Sequence, residues 1–177
     1  MVRIMEIIPY DPAWVQNYHD EVARFSAVLG SNLVTAHHVG STAVPGLAAK
    51  AIIDILLVVR GFAALEACNP AMEALGYTPK GENGIPGRRY FQRLEGEQHR
   101  AHIHAFEERH PEITRLLNFR DYLIAHPHTA RDYQALKQAL AAQFREAPLG
   151  YNQGKTDFIR AVDARALAWR AGEAPVE

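Results

Sequence analysis

The chain has 177 residues, 48% hydrophobic and 22% charged, with 19 basic and 20 acidic side chains and a net charge of −1. That length and balance predict one globular domain, residues 1–177, with a sizeable buried core, and they argue against a protein that coats DNA or RNA by bulk positive charge. The single cysteine, Cys68, excludes an internal disulfide. The longest apolar run, 51–59, is interrupted by Asp54 and falls short of the roughly 20 residues that a membrane helix needs. Glu6, Pro9, Asp11 and Pro12 do not suit a signal peptide. A cytoplasmic protein with no membrane or nucleic-acid partner is the expectation.

In chain order, residues 3–8 read as a first strand. Asp11 and Pro12 then supply a helix start, with an N-cap followed by proline at the first helical position. Val15, Tyr18, Val22, Phe25 and Leu29 form one apolar stripe that Gly30 ends. Residues 33–39 read as a second strand, and 40–50 as a loop with a turn at Pro45-Gly46. Residues 52–59 are apolar on both faces, the pattern of a central strand. A helix is expected over 62–75, closed by Gly76. Residues 79–87, with three glycines and two prolines, read as a mobile surface loop over a site. A hairpin follows, with strands at 88–94 and 100–106. Helices are expected at 111–126, 129–145 and 151–170, with Thr129 and Asp132 resembling a capping box, and a frayed tail at 174–177. Strands first and helices last predict an α+β fold: a mixed β-sheet of about five strands, with a sheet-containing core over about 1–108 and C-terminal helices over about 111–171.

Two segments carry chemistry. His38-Val39-Gly40-Ser41-Thr42 places a small-residue turn after a strand, and such a turn offers backbone and hydroxyl groups to a phosphate. Asp54 then sits in an apolar strand, where a carboxylate is costly unless a metal or a cation meets it. In 100–106, alternation puts Arg100, His102, His104 and Phe106 on one face and Ala101, Ile103 and Ala105 on the other. His102 and His104 stand roughly 6–7 Å apart by strand rise, a separation that suits one ion, one phosphate, or simply a solvated edge. Each late helix sets a cation, Arg120, Lys137 or Lys155, at or beside its apolar stripe. Their shared target is either an anionic ligand or internal carboxylates such as Asp54, Asp121 and Asp157. The P-loop, the nucleophile-elbow pattern and the His-Glu-x-x-His pattern are all absent from the sequence.

The run from His38 to Lys50, followed by Ile53-Asp54-Ile55, resembles the signature of the GrpB family. Matching segments continue at Pro9 to Trp14, His102-Ile103-His104, Phe119 to Leu123, Tyr133 to Lys137 and Tyr151-Asn152-Gln153-Gly154-Lys155. The resemblance implies a nucleotidyltransferase-like fold, in which a Gly-Ser turn precedes an acidic pair on the next strand. It implies Asp54 as the catalytic carboxylate and Asp54, His102 and His104 as ligands of a divalent metal (Mg, Mn or Zn). Gly40, Ser41, Thr42, Lys50, Arg120, Lys137 and Lys155, with His38 as an additional member, are the expected nucleotide- or phosphate-binding set. Leu56 departs from the pattern, because it stands where the second acid belongs. Ala51 departs where the family usually has proline. The family domain also occurs fused to dephospho-CoA kinase. Metal-dependent nucleotidyl transfer is therefore one expectation; a binding module for nucleotides or coenzyme A relatives, or a metal-dependent phosphohydrolase, are the alternatives.

Overall fold

The two segments with the strongest strand patterns lie side by side at the centre of one sheet. The computed structural model describes residues 6–145 and 147–172. Its strands are β1 (Leu33–Val39), β2 (Ile53–Val59), β3 (Tyr77–Pro79), β4 (Arg89–Glu95) and β5 (Gln98–Glu107), in the spatial order β1-β2-β5-β4-β3. β2 and β5 pair in parallel and all other neighbours are antiparallel. The helices are α1 (Ala13–Leu29), α2 (Phe62–Ala67), α3 (Asn69–Ala74), α4 (Pro111–Ala125), α5 (Pro127–Gln143), α6 (Pro148–Gly154) and α7 (Thr156–Ala171). This is the expected α+β fold with a five-stranded mixed sheet.

Period-two alternation divides the two central strands between two environments. Ile53, Ile55, Leu57 and Val59 of β2 and Ala101, Ile103 and Ala105 of β5 share a core with Trp14, Phe25 and Leu29 of α1, Leu65 of α2 and Met72 of α3. On the opposite face, Leu56, Val58 and Phe106 pack with Val39 and with Ile113, Leu116 and Leu117 of α4. Asp54, His102 and His104 lie on that same face and line a cavity. A further apolar cluster joins Val44 and Leu47 to Tyr122, Leu123, Tyr133, Val162 and Ala166, and so fastens the loop after β1 to α4, α5 and α7.

Local chemistry explains most boundaries. Asp11 Oδ1 accepts the Ala13 N–H at 2.9 Å, as expected of a cap at the start of α1. Pro111, Pro127 and Pro148 open α4, α5 and α6, where a missing N–H is harmless.

Several expectations differ from what is found. The strand at 3–8 reduces, within the described residues, to an isolated bridge between Ile8 and Ala49; residues 3–5 and the tail at 174–177 lie outside them. β3 was not expected, because three residues carry no readable alternation. The helix over 62–75 is two, since Pro70 has no N–H to continue α2 through Cys68. α5 begins at Pro127, so Thr129 is buried in its first turn and does not cap it. The helix at 151–170 is two, meeting at Lys155. Gly154 packs so closely on Leu140 that a Cβ there would lie 2.4 Å from Leu140 Cδ2. The loop at 79–87 is pinned: Lys80 N–H donates to Tyr90 O at 2.8 Å, and Arg88 Nη2 donates to Asn83 O at 2.8 Å. Among the described residues, no helix is long and apolar enough to cross a membrane.

One buried ionic contact ties α1 to the far side of the sheet. Glu21, 5% exposed, accepts from Arg93 Nε at 2.8 Å and also from the Tyr77 hydroxyl. Removing the carboxylate leaves a partly buried guanidinium without its counter-charge. The Glu21→Ala variant is expected to lose about 3–5 kcal/mol of stability, read as a lowered urea midpoint; an unchanged midpoint would refute this.

Candidate functional site

The uncovered part of the sheet face forms the floor of a cavity of about 400 Å³. Its floor is Asp54, His102 and His104. One wall is the turn Gly40-Ser41-Thr42. Further lining comes from α5 (Tyr133, whose phenol hydrogen-bonds with Ser41 of that turn, and Lys137), from Tyr151 and Asn152 of α6, and from Lys155 at the junction with α7. Asn83, from the pinned loop, completes the rim.

The turn is shaped around the carboxylate. Gly40 has φ 71°, and a Cβ on it would fall 2.6 Å from Asp54 Oδ2. Glycine is therefore required both for the backbone conformation and for the approach. Thr42 is buried and its hydroxyl is engaged: it donates to Ile52 O at 3.4 Å and faces His38 Nε2 at 2.9 Å.

Asp54 is bracketed by two imidazoles. His104 Nε2 lies 3.2 Å from Asp54 Oδ1, and His102 Nδ1 lies 3.5 Å from the same oxygen. Burial acts to raise the Asp54 pKa, but the hydrogen bonds from His102 and His104 reverse that and hold the carboxyl well below the usual carboxylate range. The far nitrogens are also committed. Arg88 Nη1 lies 3.2 Å from His104 Nδ1, and His99 Nδ1 lies 3.0 Å from His102 Nε2. A guanidinium has no acceptor, so His104 Nδ1 must accept and Nε2 must carry the proton that points at Asp54.

This bears on a divalent metal. As a ligand through Nε2, His104 would need that nitrogen bare and its proton on Nδ1, against the Arg88 donor. Among the described residues, no group of three or more His, Cys, Asp or Glu side chains is placed to hold an ion. The residues fit a hydrogen-bonded carboxylate rather than a metal cage.

The positive side of the cavity is a lysine cluster. Lys50 Nζ and Lys155 Nζ lie 4.5 and 4.4 Å from the centre of the Tyr151 ring. Lys137, 2% exposed, donates from Nζ to Ala48 O at 2.6 Å. One turn earlier on α5, Gln134 Oε1 accepts the Ala48 N–H at 2.9 Å, so one helix holds both backbone groups of that residue. Burial first, then the charges of Lys155 and Lys50, push the Lys137 ammonium down to about 7. Burial also lowers Lys155, with Asp54 opposing, and pushes the Tyr151 phenol up to about 12.

Nine of the expected site residues line this cavity: Gly40, Ser41, Thr42, Lys50, Asp54, His102, His104, Lys137 and Lys155. Arg120 and His38 do not. Arg120 donates to His38 O at 3.0 Å and pairs with Asp121 at 2.8 Å, so its partner is an internal carboxylate and the β1 backbone. The His38 ring is stacked on Tyr18 and faces Thr42. Sequence reasoning missed Tyr133, Tyr151, Asn83, His99 and Arg88. Tyr151 precedes Lys155 by four residues, a spacing that puts neighbours on one helix face; nothing comparable marks Arg88.

Gly40→Ala is expected to cost about 1–3 kcal/mol from the positive φ alone, and more as Asp54 is displaced; a urea midpoint within error of the parent's would refute the tight approach. The depressed Lys137 also has a pH signature. Between about pH 7 and the ordinary lysine range, the unfolded chain holds a proton that the native Lys137 has lost, so stability rises with pH over that window. Urea unfolding from pH 7 to 9.5 should show this slope, and Lys137→Met should flatten it.

The comparisons with known proteins place the chain by family and by fold. The family model described as GrpB protein matches residues 4–165. The UPF0157 protein YqkA of Bacillus subtilis is 45% identical over 170 residues, covering 96% of this chain; the chain spans only 49% of that relative's length. The crystal structure of the conserved protein GrpB from Enterococcus faecalis superposes with a TM-score of 0.89 at 34% identity, covering 94% of this chain and 99% of that one. A dephospho-CoA kinase of Mycolicibacterium paratuberculosis is 36% identical over 76 residues, 41% of this chain and 19% of that enzyme. By the extent of the family match and the agreement in fold, the chain belongs to the GrpB family.

Proposed function

We propose that the cavity binds a phosphorylated small molecule, a nucleotide or a coenzyme A relative, held by Lys50, Lys137, Lys155 and the 40–42 turn. The observation that carries this reading is the lysine cluster. None of the ion pairs among the described residues involves Lys137 or Lys155. Positive charges on Lys50, Lys137 and Lys155 disfavour one another in one partly buried cavity, which, with burial the larger cause, helps push the Lys137 ammonium down to about 7, and an anionic ligand relieves that repulsion. A volume of about 400 Å³ suits a ligand of this size. The partial match to a dephospho-CoA kinase supports including coenzyme A relatives among the candidates.

Turnover, as nucleotidyl transfer, is the second reading. The observation favouring it is the placement of the Gly40-Ser41 turn directly against Asp54. Against it stand the engaged nitrogens of His102 and His104: the lone pair of His104 Nδ1 faces Arg88 and His102 Nε2 faces His99, so neither ring turns an unengaged basic nitrogen to the cavity.

Thermal unfolding with ATP, CTP, GTP, UTP, coenzyme A and dephospho-coenzyme A, each with and without Mg²⁺ or Mn²⁺, tests the first reading. A ligand at about 100 times its Kd adds roughly 2.7 kcal/mol of stability, and Lys155→Met should reduce that gain. No shift with any of them would remove the proposal. Pyrophosphate release that is abolished in Asp54→Asn would establish the second reading over simple binding.

A further inference from the structure

A phosphorylated ligand brings charge that its site must offset. The nucleotidyltransferase-type solution is a set of carboxylates that hold metal ions against the phosphates. The lining of this cavity has the opposite balance. Asp54 is the only carboxylate among its described residues, against Lys50, Lys137 and Lys155. The position two residues on from Asp54, where a second acid would face the same side, is Leu56, which is fully buried with Leu116 and Leu117 of α4.

One oxygen of the single carboxylate is also taken. Asp54 Oδ1 accepts from His104 Nε2 at 3.2 Å and lies 3.5 Å from His102 Nδ1, while Arg88 faces the other nitrogen of His104 and His99 that of His102. Arg88, the donor behind His104, is 5% exposed. Two loop carbonyls fix it, Glu82 O at 3.1 Å from Nε and Asn83 O at 2.8 Å from Nη2. An ion ligated by His104 through Nε2 would require that ring to move its proton to Nδ1. That places two donors face to face, and the guanidinium cannot turn away without giving up both carbonyls of the pinned loop.

We infer that this pocket takes its phosphorylated ligand without a divalent cation, the ammonium groups of Lys50, Lys137 and Lys155 supplying the positive charge and Asp54 serving as the fixed acceptor of the His102 and His104 N–H groups. The inference rests on the phosphate-binding reading above and deepens it, since it names what neutralises the ligand. Arg88 is then a positioning residue: it acts on the site through the tautomer of His104.

Isothermal titration with ATP and with inorganic pyrophosphate, in EDTA and again in excess Mg²⁺ or Mn²⁺, tests this directly. The expected result is binding in EDTA with a Kd within about threefold of the value with metal, and at least tenfold weaker binding in EDTA for Lys137→Met and Lys155→Met. Long-range proton–nitrogen spectra of the imidazoles give a second readout that needs no ligand. His104 should carry its proton on Nε2 and His102 on Nδ1, and neither should change when Mg²⁺ or Mn²⁺ is replaced by EDTA. Affinity that rises tenfold or more with metal, or a His104 proton on Nδ1, would overturn this inference and leave the phosphate-binding reading standing. Absence of binding by either probe under every condition would overturn both. Arg88→Met, if it folds, should acquire thermal stabilisation by Zn²⁺ that the parent lacks, because the barrier to a bare Nε2 is gone; a folded variant without it would count against the role given to Arg88.

Discussion

The parallel pairing of β2 with β5 is the constraint on which the rest depends. Its register sets Asp54 beside His102 and Leu56 beside His104, so that the polar residues of two distant segments emerge on one face. A slip of one residue would turn Ala101, Ile103 and Ala105 toward the cavity and bury the histidines among Phe25, Leu65 and Met72. The alternation that makes one side of the sheet a dry core therefore also fixes what the other side presents. Register is enforced by the core, and the site inherits its precision from that enforcement.

The same face is divided along its length. At the end nearer Val58 and Phe106, α4 covers it with Ile113, Leu116 and Leu117; at the end nearer Asp54 it is open to the cavity. Leu56 stands at the boundary. Seen as a member of a nucleotidyltransferase-like core, it is a missing acid. Seen in its surroundings, it is the first residue of the apolar floor, and a carboxylate there would be buried among leucines without a partner. The leucine at this position and the α4 cover are one feature.

Much of this was readable from particular residues. The strict alternation of 100–106 identified which histidines share a face, and the doubly apolar 52–59 identified the central strand. The cations beside the helical stripes singled out Lys137 and Lys155. What the sequence did not carry was partnership at long range. Nothing local says that β5 crosses back to lie parallel to β2, because parallel pairing has no turn to announce it. Arg120 had the same helical placement as the lysines, yet its guanidinium is satisfied by Asp121 and by the His38 carbonyl, a choice set by tertiary packing alone. Arg88 and His99 reach the cavity through the rings of His104 and His102, and neither has a spacing that would reveal it.

The hold of α5 on Ala48 has a consequence for the proposed recognition of an anion. A lysine ammonium has three N–H groups; the Ala48 carbonyl uses one of them, and its direction fixes where the other two can point. A long, flexible side chain ordinarily surrenders up to about 2 kcal/mol of rotational freedom when it closes on a ligand. In this chain that surrender happens during folding, when Gln134 and Lys137 seat the loop against the helix. Under the proposed phosphate binding, an incoming anion would meet one donor already aimed, and the discrimination between a well-shaped and a badly shaped ligand would be a matter of geometry rather than of induced rearrangement.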